Sequence, residues 1–256
     1  MLVPVQYQRL MDHPDFDSFD LSSFEMKFCT SAPFSSALKM DVLKRWPGGL
    51  VEFYGMTEGG GSCVLRAHEH PDKLHTVGQP MPGTEMVVID DDGNVLPHGQ
   101  TGEIVGTSHA IMNGYHNQPE KTAAAEWFGP DGRRYIRTGD VGRFDKDGFL
   151  TLMDRKKDMI ISGGFNIYPS DIEHLLLKHD AVADVAVVGV ESRQWGETPV
   201  AFVVPKKGTS PTAEEIRTWA NDQLGKTQRI ADVILSEDLP RSAIGKILKR
   251  ELRDKY

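Results

Sequence analysis

The 256-residue chain lacks the features that assign many proteins to a class by composition alone. Its two cysteines, Cys29 and Cys63, are too few for a disulfide-rich secreted scaffold and have no Cys-x-x-Cys metal spacing. No apolar run approaches the ~20 residues that span a bilayer. Residues 1–16 lack the basic flank and long apolar centre of a signal peptide. These absences predict a protein of the reducing cytoplasm without a transmembrane segment.

Positive charge is also scarce, since the formal net charge is -8. Lysine and arginine are concentrated only near the C-terminus, at Lys246, Lys249, Arg250 and Arg253. Nucleic-acid phosphates are bound by dense basic patches, so no nucleic-acid partner is predicted. A hydrophobic content of 39% with 26% charged residues permits one large or two modest globular domains.

The N-terminal half shows the order of an α/β protein. Residues 35–46 have apolar residues at helical spacing behind a serine cap, residues 50–54 form an apolar strand, and a glycine-rich loop follows. Ligands of α/β proteins bind beyond the carboxyl ends of such strands. Residues 2–10 have a helical pattern without a clear cap, which suggests that sequence upstream is missing.

Two further regions differ in character. Residues 77–153 contain short strands and the hairpin signals Asp92-Gly93 and Asp147-Gly148, so they predict a small β-barrel or sandwich. From residue 159 to 235, strands alternate with helices at 171–179 and 213–224. That alternation predicts a compact α+β domain.

Tyr54-Gly55-Met56-Thr57-Glu58 follows the predicted strand and combines three groups useful to a nucleotide site. An aromatic ring stacks on a base, a hydroxyl donates to a phosphate, and a carboxylate binds Mg²⁺. The alternative interpretation is a glycine turn with a solvated Glu58.

Asp140, in a Thr-Gly-Asp sequence at a predicted strand end, is suited to accept the hydroxyls of a ribose. Arg155 would add fixed donors to the sugar or to a phosphate. The alternatives are a turn carboxylate for Asp140 and a charged linker for residues 155–158.

Two later stretches complete the set. The pair Gly163-Gly164 permits close approach of the backbone to a ligand, and Ser170 or Asp171 is predicted to cap the next helix. Lys246 follows a glycine at the predicted start of a terminal helix, from where its ammonium would reach an anionic transition state. Each feature also has a structural interpretation: a helix cap and a solvated lysine.

The order of these motifs resembles the adenylate-forming superfamily of acyl-CoA synthetases, luciferases and peptide-synthetase adenylation domains. The tyrosine-glycine-x-threonine-glutamate, threonine-glycine-aspartate, arginine-x-lysine-aspartate and glycine-lysine motifs occur in sequence, with Gly102-Glu103 and Gly114-Tyr115 between them. The resemblance covers essentially the whole chain and points to the C-terminal portion of an acyl-CoA synthetase. It implies a remnant of the large adenylating domain (1–154), a hinge (155–158) and a mobile α+β lid domain (159–256).

The resemblance also implies ATP or AMP, Mg²⁺ and CoA as ligands, and a fatty or aryl carboxylic acid as substrate. It assigns nucleotide contacts to Ser31, Ala32, Pro33, Tyr54, Gly55, Met56, Thr57, Asp140 and Arg155. It assigns catalytic roles to Lys246, Glu58 and Thr57, the metal to Glu58, the hinge to Lys157, and the thioester step to Gly163, Gly164 and Phe165.

The chain departs from the family pattern in three places. Ser31 stands where relatives often have glycine, Ile161 replaces a lysine of the luciferases, and no phosphate loop precedes these motifs. Little activity is therefore expected from the chain alone. Because the chain ends directly after the lysine motif, CoA is favoured over a carrier domain as acceptor. A peptide-synthetase adenylation fragment and a non-enzymatic half-length nucleotide-binding or interaction module remain alternatives.

Overall fold

The computed structural model describes residues 1–242 and 245–256. The chain divides into two compact units, Met1–Leu152 (unit 1) and Met153–Tyr256 (unit 2). The predicted boundaries at 154 and 158 stay predictions. Among the residues that the structure describes, no helix combines the length and apolar character that crossing a bilayer requires.

Unit 1 begins with helices packed on a four-stranded sheet. The sheet order is β1-β2-β3-β4, and only β1 and β2 are parallel. The elements are α1 (Pro4–Met11), β1 (Met26–Cys29), α2 (Ser36–Arg45), β2 (Gly49–Gly55), β3 (Ser62–Arg66) and β4 (Gln79–Pro80).

The predicted helix and strand at 35–54 are confirmed. The Ser35 hydroxyl caps α2 by accepting the Leu38 amide at 3.2 Å. The N-terminal helix has no side-chain cap at its N-cap residue Val3, as expected. Pro4 occupies the first helical position, where no amide partner is needed, and the Gln6 side chain accepts the Val3 amide at 3.0 Å.

The second part of unit 1 is a six-stranded sheet where the small barrel or sandwich was predicted. Its order is β10-β9-β7-β5-β6, with β8 paired to β9. Both hairpin signals are confirmed: Asp90 accepts the Asn94 amide around Gly93, and Asp145 accepts the Phe149 amide around Gly148. The elements are β5 (Thr84–Ile89), β6 (Val95–Leu96), β7 (Gly102–Ser108), α3 (Pro119–Ala125), β8 (Glu126–Phe128), β9 (Arg134–Phe144) and β10 (Leu150–Arg155), the last of which crosses the division between the units.

Unit 2 is an α+β domain, as predicted. Its sheet has the order β12-β11-β14-β13, with β15 parallel to β14. Both sheet faces are covered, because alternate residues of β13 enter two different apolar clusters. The elements are β11 (Ile160–Ser162), β12 (Phe165–Ile167), α4 (Pro169–Leu176), β13 (Val182–Ser192), β14 (Gly196–Pro205), α5 (Ala213–Asn221), β15 (Asp232–Leu235) and α6 (Lys249–Arg253).

Two local predictions in unit 2 are wrong. Ser170 and Asp171 do not cap α4, because the helix already begins at Pro169 and both residues lie in its first turn. The Ser170 amide is instead satisfied by the Asp154 carboxylate at 2.7 Å. Lys246 does not begin the terminal helix, since α6 starts three residues later and Ile247 forms a β-bridge with Arg241.

Candidate active site

The parallel strands β1 and β2 bring two of the predicted nucleotide segments to one edge of a sheet. Their register pairs Cys29 with Glu52, so Thr30 and Phe53 continue side by side. The Thr30 hydroxyl donates to the Phe53 carbonyl at 3.1 Å. The segment Ser31-Ala32-Pro33 and the segment beginning at Tyr54 therefore leave the carboxyl ends of adjacent strands, where ligands of α/β folds bind.

Ser31 has a left-handed backbone conformation, with φ at +80°. A side chain in this region is crowded against its own carbonyl group, whereas glycine adopts it freely. Glycine, which the family resemblance implies at this position, would adopt this conformation without strain. The serine is thus a strained substitution at the rim of the candidate site.

Tyr54 joins the first sheet to the second. Its hydroxyl donates to Asp140 Oδ2 at 2.7 Å, across 86 residues of sequence. Burial, followed by the neighbouring Asp140 carboxylate, raises the pKa of Tyr54 far above its usual range, so the phenol remains a donor. The Tyr54 ring packs partly buried against the apolar cluster that contains Cys63 and Met86.

The prediction that Asp140 lies at a strand end is wrong, because Asp140 lies inside strand β9. The chain turns locally at Gly139, where φ is +69°. The buried Thr138 hydroxyl donates to the Ile104 carbonyl at 2.9 Å and accepts the Asp140 amide at 3.1 Å. A glycine kink within a long strand therefore directs Asp140 toward Tyr54. No local sequence pattern predicts this contact.

Glu58 is held on two sides by the segment that follows β7. Tyr115 donates its hydroxyl to Glu58 Oε1 at 3.0 Å, and the Met112 amide donates to the Glu58 carbonyl at 2.9 Å. Within the described residues, no group of three or more acidic, histidine or cysteine side chains is arranged to bind a metal. A single half-buried carboxylate fits Mg²⁺, which keeps several waters and binds substrate phosphates.

Close packing requires the glycines after Glu58. Gly59 has φ at +76°, and a Cβ there would lie 2.1 Å from the Ala110 carbonyl oxygen. The Ser108 hydroxyl donates to the Gly59 carbonyl at 2.8 Å. The loop around Gly59 is thus packed against the end of β7, while Thr57 in the same loop is exposed.

In unit 2, the predicted thioester segment forms a tight turn between β11 and β12. Gly163 and Gly164 both have positive φ, at +58° and +82°. The Gly163 amide donates to the Trp195 carbonyl at 2.7 Å, and a Cβ on Gly163 would lie 3.0 Å from the Trp195 ring. Phe165, at the far side of the turn, is 61% exposed.

Lys246 is exposed in a turn next to the undescribed residues 243–244. Its amide donates to the Ser242 hydroxyl at 3.2 Å, and its carbonyl accepts the Ser242 amide at 2.8 Å. Arg241 supports the turn by donating to the Gly245 carbonyl at 2.7 Å and pairing with Asp184. The backbone amide and carbonyl of Lys246 are therefore both hydrogen-bonded, while its side chain is exposed to solvent.

The two remaining predicted residues, Arg155 and Lys157, are also exposed. Arg155 ends β10, and Lys157 lies in a single 3-10 turn, Lys156–Asp158. Such a short turn between two strands has few backbone bonds of its own, as a hinge requires.

Comparison with known proteins identifies the family. Residues 1–116 match the family described as AMP-binding enzyme, and residues 171–246 match the AMP-binding enzyme C-terminal domain. The chain belongs to the adenylate-forming superfamily. The predicted superfamily and the mixed α/β fold class are confirmed.

Relatives of this adenylate-forming chain include a long-chain-fatty-acid–CoA ligase of Bacillus subtilis, 36% identical over 97% of this chain and 44% of that protein. A feruloyl-CoA synthase of Amycolatopsis is 37% identical over 99% of this chain and 51% of that protein. Among solved structures, ATP-bound MatB from Rhodopseudomonas palustris superposes with a TM-score of 0.90 at 31% identity, covering 100% of this chain and 50% of MatB. The chain spans about half the length of the curated relatives it matches.

Unit 1 of the adenylate-forming chain thus unites Ser31, Tyr54 and Asp140 around one sheet edge, with Glu58 four residues beyond Tyr54. The remaining candidates, Arg155, Lys157, Gly163, Phe165 and Lys246 among them, belong to unit 2. Sequence reasoning missed the role of Tyr115 beside Glu58. It was noted only as part of a motif, and its separation of 57 residues from Glu58 gave no signal of contact.

Proposed function

We propose that this chain supplies the AMP-contacting part and the mobile lid of an ATP-dependent acyl-CoA synthetase. In the first step, a carboxylate oxygen of the acid attacks the α-phosphorus of ATP, and pyrophosphate leaves. In the second step, the sulfur of CoA, having lost its proton to solvent, attacks the acyl carbonyl carbon, and AMP leaves. The products are acyl-CoA, AMP and pyrophosphate.

The observation that carries this proposal is the 2.7 Å hydrogen bond between Tyr54 and Asp140. It brings an aromatic residue at the end of strand β2 and a carboxylate from another sheet to the same edge. Tyr54 and the segment Ser31-Ala32-Pro33 would line the adenine, with Gly55 and Met56 completing the floor. Asp140 would accept the ribose hydroxyls, a task that requires an ionised carboxylate at a fixed position.

The loop after Tyr54 would bind the phosphates. The exposed Thr57 hydroxyl would donate to a phosphate oxygen, and Glu58, oriented by Tyr115, would bind Mg²⁺. When bound, Mg²⁺ would supply the positive charge that displacement at phosphorus requires. Tyr115 would keep the Glu58 carboxylate turned toward that position.

The lid would contribute different groups to the two steps. Lys246 would bridge the acid and the α-phosphate during adenylation, because an exposed ammonium on a fixed backbone turn neutralises negative charge at a defined place. Rotation about Lys157 would then remove Lys246 from the site and bring the turn of Gly163, Gly164 and Phe165 beside the thiol of CoA. Arg155, next to the hinge, would hold the ribose.

The half-length chain alone would have little activity, because no phosphate loop occurs among its motifs. The names of its relatives support an acid with a fatty or aryl chain and free CoA as acceptor. The two cysteines are buried and unpaired, which agrees with a reducing cytoplasm.

The test is pyrophosphate exchange by the complete ligase that contains this chain, with a panel of carboxylic acids. Lys246→Ala is expected to reduce exchange by a factor of about 100 to 1,000, the usual loss when one preorganised donor to the transition state is removed. Thioester formation from supplied acyl-adenylate should survive largely unchanged. Lys255→Ala, which removes an exposed lysine from the same terminal segment, is the matched control.

Equal loss of both half-reactions in Lys246→Ala would contradict the role given to this lysine. Absence of exchange with every acid by the wild-type ligase would contradict the proposed function itself.

A further inference from the structure

Asp154 lies three residues before the proposed hinge residue Lys157, yet its carboxylate binds groups that follow the hinge. Its Oδ2 accepts the amide of Ser170, in the first turn of α4, at 2.7 Å. Its Oδ1 lies 3.7 Å from the Lys249 ammonium of α6. The Asp154 side chain is only 9% exposed, so both contacts are sheltered from water.

Lys249 is held independently by a second carboxylate. Glu173 Oε1 lies 2.9 Å from the Lys249 ammonium and also accepts the Val187 amide at 2.8 Å. Glu173, Val187 and Lys249 all follow the hinge. This part of the cluster therefore persists whatever conformation residues 155–158 adopt, and Asp154 connects it to the chain before the hinge.

A second ion pair near the hinge provides the contrast. Asp158 pairs with Arg253 of α6, and both residues follow Lys157. A rotation about Lys157 carries both partners together and leaves their pair intact. The same rotation changes the direction of the chain between Asp154 and Ser170, so it must separate the Asp154 carboxylate from Ser170 and Lys249.

We infer that Asp154 is a positioning residue that fixes the conformation of residues 155–158, the proposed hinge. Its bonds to Ser170 and Lys249 stabilise the hinge conformation seen here and must break when the lid turns between the two half-reactions. Glu173 keeps Lys249 paired after that separation, so release does not leave a lone buried ammonium. The inference rests on the proposed function in one respect, the pivot at Lys157.

Limited trypsin digestion of the 256-residue chain tests this inference directly. Arg155 is exposed, and cleavage after it requires the hinge to leave its present conformation. Asp154→Ala is expected to accelerate this cleavage about tenfold, the change expected when a hydrogen bond to a charged group is lost. Asp154→Asn, which retains a neutral acceptor for the Ser170 amide, should lie between wild type and Asp154→Ala, and it serves if the alanine variant does not fold.

Asp158→Asn is the matched control, since it removes a carboxylate that pairs with the same helix but does not cross the hinge. Its cleavage rate after Arg155 should stay within about twofold of wild type, because a rotation about Lys157 carries Asp158 and Arg253 together. Cleavage after the exposed Lys178 of unit 2 reports general loosening, and it should be unchanged in every variant.

Wild-type cleavage rates in both Asp154 variants would overturn the inference. It would equally be overturned if Asp158→Asn accelerated hinge cleavage as much as Asp154→Ala, or if cleavage after Lys178 rose in parallel. The digestion contains no ATP, acid or CoA. Its outcome is therefore independent of whether the complete ligase forms an acyl-adenylate.

Discussion

Lys39 of unit 1 and Lys249 of unit 2 each lie against a carboxylate, but the two pairs differ in their surroundings. Lys39 of α2 lies 2.5 Å from Glu52 of β2, with both side chains at most 4% exposed, and also donates to the carbonyls of Leu74 and Thr76. Every acceptor of Lys39 lies within one body. Lys249 is 15% exposed and lies near two carboxylates, Glu173 after the proposed hinge and Asp154 before it.

The difference shows that a lysine–carboxylate pair can either stabilise a rigid unit or form a contact that can break. A buried ammonium with three acceptors inside a rigid unit has no alternative partner, so breaking it is costly. An ammonium with two carboxylates loses one and keeps the other. The comparison predicts that loss of Lys39 harms stability most, and that loss of Lys249 affects both stability and the hinge.

The largest effect is expected for Lys39→Met, which leaves Glu52 charged and buried without a counterion. Unfolding of unit 1 should become easier by about 3–5 kcal/mol, the cost of removing one partner from a buried pair. Denaturant unfolding, followed by hydrogen exchange of unit 1 peptides, measures this change in unfolding free energy.

Lys44→Met, at an exposed position of the same helix, is the control for Lys39→Met and should change stability little. The double variant Lys39→Met with Glu52→Leu should recover much of the loss, because apolar replacement of both partners is often neutral. No recovery would mean that the lysine acts through packing and not through the pair.

A smaller loss is expected for Lys249→Met. Unit 2 should be destabilised by about 2 kcal/mol, below the fully buried range since the ammonium keeps some contact with water. Burial lowers the pKa of Lys249, but attraction to Glu173 and Asp154 outweighs it, so the net pKa is raised above 10.5. A raised lysine pKa stabilises the fold fully below pH 10.5, and this contribution is lost as pH rises through the folded-state pKa.

The difference in unfolding free energy between wild type and Lys249→Met should therefore shrink at strongly alkaline pH. Unfolding of unit 2, measured by hydrogen exchange from pH 7 upward, checks both size and direction. Lys255→Met, at an exposed position nearby, is the control. A difference that grows with pH would show that the lysine is not stabilised by these carboxylates.

The smallest effect, and the only stabilising one, is expected for Ser31→Gly. Relief of the left-handed strain at φ +80° should stabilise unit 1 by about 1 kcal/mol. The same measurement should leave unit 2 unchanged, which would show that the two lysine pairs report on separate bodies. Ser23→Gly is the control, since Ser23 is not among the non-glycine residues with positive φ; equal stabilisation by both variants would remove strain as the cause.

Periodic and local signals predicted well in this chain. The Ser35 cap, the two hairpin turns and the alternation of unit 2 depend on residues only a few positions apart, and all were confirmed. The errors arose where a distant group replaced a local one. Serine is a common helix cap, yet Ser170 lies inside the first turn of α4 and its amide is bound by Asp154, 16 residues earlier. Asp140 has the sequence of a strand end, yet it lies inside β9.

The sequence by itself determined the family, because four motifs in fixed order leave little room for coincidence, and it determined the α/β and α+β classes through periodicity. Only the tertiary structure decided that Tyr54 binds Asp140, that Tyr115 contacts Glu58 and that Asp154 contacts Ser170 and Lys249. These contacts join residues 16 to 95 positions apart. Hydrogen bonds and ion pairs depend on distances of a few ångströms, which sheet pairing and chain reversal set and which spacing along the sequence does not encode.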